Sequence, residues 1–96
     1  MAQYDIGDVG RCSVVFRDLS GNAVDPDAVS LQIKRPDSTV LQFEYQQDVE
    51  LVRDELGTYH LDYLVTQDGT HFYKWTGTGT VYAAEESQFF VRRTNF

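Results

Sequence analysis

The sequence predicts an all-β fold, a single sandwich of about seven antiparallel strands standing without a disulfide. Three observations carry this expectation. Two segments, Gly57-Thr58-Tyr59-His60-Leu61-Asp62-Tyr63 and Gly69-Thr70-His71-Phe72-Tyr73-Lys74-Trp75, each open on Gly-Thr after an acidic turn and put rings or aliphatics at every second position. Period-two alternation recurs at Cys12, Val14 and Phe16 and at Val29, Leu31 and Ile33, as half-buried strands require. Turn residues interrupt the pattern at intervals of roughly 10 to 14 residues, and no helical period of useful length competes with it.

Taken in order, residues 1–8 form a short N-terminal arm. Residues 11–17 then alternate Cys12, Val14 and Phe16 against Arg11, Ser13 and Arg17. Asp18-Leu19-Ser20-Gly21-Asn22 is a turn, since Gly21 and Asn22 tolerate positive φ. Pro26 blocks ladder pairing before the strand of Val29, Leu31 and Ile33. Arg35-Pro36-Asp37-Ser38 turns the chain with Pro at a favoured position. The next strand points Leu41 and Phe43 inward, and a short strand over residues 49–53 leads into the Gly-Thr pair. Thr76-Gly77-Thr78-Gly79-Thr80 reads as a flexible loop, and residues 81–92 as the last strand, ahead of a tail at 93–96.

One domain accounts for all 96 residues, and a chain of this size buries roughly 60–65% of its extended surface. Six Tyr, six Phe and one Trp suit the pleated surface of a sheet. Fifteen acids against eight bases leave a net charge of −7. That balance disfavours nucleic acid as a ligand and an anionic membrane surface, and permits steering toward a basic partner surface. Cys12, the single cysteine, cannot form an intrachain bridge and reads as a small buried hydrophobe; a reducing compartment follows. The start lacks the basic and apolar regions of a signal peptide. No run approaches the ~20 apolar residues of a membrane span.

Catalytic and metal signatures are missing. His60 and His71 fall on alternating strands expected to neighbour each other, without zinc spacing. The acids between Asp18 and Asp27 lack calcium-loop spacing. Glu85 and Glu86 are adjacent, so a strand sends them to opposite faces. No nucleophile motif or phosphate loop occurs. The expectation is a non-enzymatic protein with no cofactor. Its candidate contact residues are Tyr4, Asp5 and Asp8 in the acidic arm, Tyr82 and Phe90 on the face opposite the core, and Arg92, Arg93 and Phe96 at the basic end. Opposite charge at the two ends suits head-to-tail or multi-copy association.

Two details favour an immunoglobulin-like sandwich. Asp54-Glu55-Leu56-Gly57-Thr58-Tyr59 resembles the corner at which a Tyr near a strand start hydrogen-bonds back to the backbone, and Trp75 can fill the centre left by an absent disulfide.

The string Tyr4-Asp5-Ile6-Gly7-Asp8-Val9-x-Arg11, then Phe16-x-Asp18-x-x-Gly21, Asp25-Pro26, Pro36-Asp37, Gly57-x-Tyr59, Gly69-Thr70, Tyr73-x-Trp75, Gly77-x-Gly79 and Phe89-x-Val91, spans nearly the whole chain. It resembles the small stand-alone immunoglobulin-like proteins encoded among the virion structural genes of tailed bacteriophages. The resemblance implies a structural virion component assembled in the host cytoplasm. Its seat would be the capsid shell, as decoration, or the head-tail neck. Its partners would be the major capsid protein, neck or connector proteins, or further copies of itself. Such proteins often carry Trp or Tyr where this chain has His71. On this reading the arm is the anchor, and removing residues 1–8 would leave the fold intact. A sugar- or cell-surface-binding module, with Tyr82 stacking on glycans, is the alternative.

Overall fold

A computed structural model describes residues 2–79 and 83–92. Among them the chain is all strand and turn: β1 (Ala2–Asp5), β2 (Val9–Val15), β3 (Ala28–Lys34), β4 (Val40–Glu44), β5 (Leu51–Glu55), β6 (Thr58–Leu64), β7 (Gly69–Thr78) and β8 (Ala83–Arg92). They form a five-stranded sheet, β1-β8-β7-β3-β4, and a three-stranded sheet, β2-β6-β5. Alternate residues of both sheets meet in one core. Cys12, Val14, Leu51, Tyr59, Leu61 and Tyr63 come from the smaller sheet, and Val29, Leu31, Ile33, Trp75, Phe89 and Val91 from the larger. The all-β, two-sheet expectation therefore holds.

Four expectations change. The strands number eight, because residues 2–5 are an edge strand and not an arm. β1 lies parallel to β8, Ala2 opposite Phe89 and Asp5 opposite Arg92, so the larger sheet is mixed. The two Gly-Thr strands do not pair. β6 belongs to one sheet and β7 to the other, which also separates His60 from His71. β7 runs on through Thr78, where a loop was expected at Thr76. Gly77 allows this, since a Cβ there would lie 2.7 Å from the Pro26 ring and 2.9 Å from the Phe16 ring.

The fourth change concerns the corner. Tyr59 does bond backwards, but to a side chain: its hydroxyl donates to Asp25 Oδ1 at 3.1 Å. Asp25 also accepts the Gly57 N–H at 2.7 Å and both arms of the Arg53 guanidinium. These bonds, the guanidinium foremost, hold the Asp25 carboxyl below its ordinary range. Gly57 stands at φ 74, and a Cβ would come within 2.9 Å of Val24 backbone atoms. A strand-to-strand corner is thus tied to the segment entering β3 by one carboxylate.

Cys12 is fully buried, and burial pushes its thiol up to about 12. The thiolate is the reactive form, so a disulfide reagent added to native protein should react slowly and speed up only through the denaturant unfolding transition. Fast labelling of native protein would contradict the burial.

Candidate functional site

Of the residues singled out from the two chain ends, Asp5 and Arg92 are brought together at one corner of the larger sheet. The Arg92 guanidinium donates to both Asp5 oxygens at 2.9 Å, and this pairing raises the Arg92 pKa. Asp8 turns back to accept the Asp5 N–H at 2.8 Å. Asp5 and Arg92, one from each end, are therefore paired within the chain. Tyr4 faces the core: its ring meets Phe89 edge-on at 5.4 Å, and a Cβ on Gly10 would touch it at 3.1 Å. Phe90 is half-buried on the outer face. Tyr82, Arg93 and Phe96 lie outside the described residues.

The outer face of the same sheet carries the feature the sequence only hinted at. Cross-strand register aligns Val40, Lys34, Phe72 and Gln88 in one row and Gln42, Gln32, Lys74 and Glu86 in the next. Phe72 remains 49% exposed and Val40 53%, and together with Lys34 and Lys74 they line an open depression of ≈400 Å³. Phe72 and Val40 thus form a small apolar spot rimmed by long polar side chains. Leu19 stands at a loop tip, fully exposed, in a turn ordered by Asp18 Oδ1 accepting the Ser20 and Asn22 N–H groups. Reading the Asp18 to Asn22 segment as turn chemistry passed over this side chain, because periodicity says nothing about loop apolars.

His60 and His71 have separate roles. His60 Nδ1 meets Asp54 at 2.7 Å on the outer face of the smaller sheet. His71 is completely buried and stacked on Phe89, with ring centroids 4.7 Å apart. It occupies an aromatic core position. Burial lowers its pKa; the Gly69 carbonyl opposes this in part, and Arg35 adds a smaller lowering that Asp37 works against. The folded state therefore keeps it neutral, whereas the unfolded chain protonates it near its ordinary pKa of about 6.5. Stability from this site is complete above that pH and declines as pH falls below it, toward the lowered folded pKa. His71→Phe should flatten the fall in denaturation midpoint between about pH 7.5 and pH 5; an unchanged slope would remove His71 as its source.

No group of three or more His, Cys, Asp and Glu side chains is gathered as a metal site among the described residues. Among the described residues, no helix is long and apolar enough to cross a membrane. Compared with protein-family models and with curated proteins, the sequence matches none.

Proposed function

We propose that this chain is a non-enzymatic structural component of a tailed-phage virion, an immunoglobulin-like domain seated on the capsid shell or in the head-tail neck. Its partners are the major capsid protein or the neck and connector proteins, and it works by protein contacts alone. The observation that supports this best is the strand order. Grouping β2, β6 and β5 against β8, β7, β3 and β4 matches the division of strands B, E and D from G, F, C and C′ in immunoglobulin-like sandwiches. The full-length pattern of turn and core residues is the second support. An apolar, lysine-flanked outer face and two sheets with open edges give such a domain surface with which to bind.

Copy counting by quantitative mass spectrometry of purified virions tests the reading. On the order of hundreds of copies per particle would place it on the shell, and about a dozen or fewer in the neck, following the symmetry of each. Its absence from particles would sink the proposal.

A further inference from the structure

β1 covers only part of its neighbour: it pairs with Phe89, Phe90, Val91 and Arg92, the last four residues of the 10-residue β8. Over residues 83–87 that edge of β8 has no strand beside it among the described residues. The adjacent edge of β2 has none either. Side chains record the gap. Glu85 and Ser87 stand opposite Trp75 and Tyr73, on the inward-facing parity of β8, yet both are exposed. Farther along the same parity, Phe89 is 2% and Val91 0% exposed. Where β1 runs, Tyr4 closes the space between the sheets. Where it stops, a depression of ≈430 Å³ opens, lined by Ser13, Val14, Val15, Arg17, Thr58 and Glu85.

We propose that this gap is a strand-docking slot for an extended segment of a partner protein in which basic residues alternate with aliphatic ones. The inference rests on the reading that the chain works by contact. An uncovered strand edge offers backbone donors and acceptors to any extended chain, and strand addition draws affinity from the ladder and specificity from alternate side chains. Here the side chains select for basic residues. Glu85 and Glu86 lie on opposite faces of β8. None of the ion pairs among the described residues involves Glu85, and Glu86 reaches Lys74 only at 4.0 Å. A strand with its aliphatic residues inward, toward Val14, sets its basic residues beside Glu86; shifted by one residue, it sets them beside Glu85. A second copy is the wrong occupant. Pairing two such edges would oppose Glu85 and Glu86 to the same acids, which destabilises a sheet, on a chain already at net charge −7.

The test titrates the intact, isotope-labelled chain with an end-blocked hexapeptide of alternating Lys and Val, and in parallel with its Glu and Val counterpart. Saturable binding of the Lys peptide is expected. Amide shifts and slowed exchange should concentrate at residues 83–87 and 11–15, and the Glu peptide should bind at least about tenfold more weakly. Glu85→Lys combined with Glu86→Lys should invert the preference. Glu85→Gln combined with Glu86→Gln, which preserves shape, should erase it and serves if the charge reversal does not fold. Absence of saturation, equal binding of the two peptides, or shifts centred on Phe72 and Val40 would overturn the slot. The two readings fail separately. A particle-borne protein without slot binding loses only the slot, whereas slot binding by a protein absent from particles loses only the virion.

Discussion

Trp75→Ala is expected to destabilise the protein by about 3–5 kcal/mol, against a total of about 5–15 kcal/mol for a domain of ordinary stability. Trp75 is completely buried, and is the bulkiest of the fully buried side chains. It sits between Leu31 on β3 and Glu85 on β8, on the inward face of the larger sheet. Cys12 is free, so no disulfide restricts the unfolded chain and the core packing is not backed by a cross-link. Trp75→Phe should cost much less than the alanine change. The indole Nε1 is buried without a hydrogen-bond partner, and a buried donor in that state costs about 1–3 kcal/mol. Phenylalanine gives up volume but also removes that desolvated donor. Urea unfolding followed by circular dichroism measures both. A Trp75→Ala protein with a near-wild-type midpoint would mean that the two sheets do not depend on this ring.

Removing residues 1–8 should lower stability by about 2–4 kcal/mol, from the lost ladder bonds of an edge strand and the lost burial and edge-on packing of one aromatic ring. The truncation exposes Phe89 and strips Arg92 of its Asp5 partner. It also removes two backbone ties, Gly7 N–H to Val65 O at 2.9 Å and Val65 N–H to Asp8 O at 3.0 Å. Tyr4→Ala separates the effects, since it keeps the strand and deletes only the ring. It should recover a substantial part of the truncated protein's loss. A truncated chain as stable as the full one would restore these residues to the role of a detachable arm.

That reversal shows where sequence reading reached its limit. The core strands were legible because burial alternates: Cys12, Val14 and Phe16, then Val29, Leu31 and Ile33, then Tyr59, Leu61 and Tyr63 are all buried. The turn at Pro36 was legible too, and Ser38 N–H donates to Arg35 O at 2.9 Å as its position requires. Pairing was not legible. Alternation reports which face of a strand is buried, and is silent on which strand lies beside it. Two similar Gly-Thr strands therefore suggested neighbours, although residues 65–68 carry the chain from one sheet to the other. A four-residue edge strand such as β1 is too short for its period to register. Glu85 was placed correctly opposite Glu86 in parity. Its exposure on an inward-facing position depends on what lies beside β8 at that point, which no local pattern encodes. Of the residues named from charge at the two ends, Asp5 and Arg92 pair with each other.

Add-back tests the proposal that this domain acts by seating on a larger particle. Phage particles assembled without the protein are incubated with the purified chain and re-isolated by sedimentation. Saturable co-sedimentation at a fixed copy number per particle is expected, reduced by charge reversal at Glu85 and Glu86 if the slot is the seat. Protein that stays in the supernatant at every concentration, while still folded, would contradict the claim.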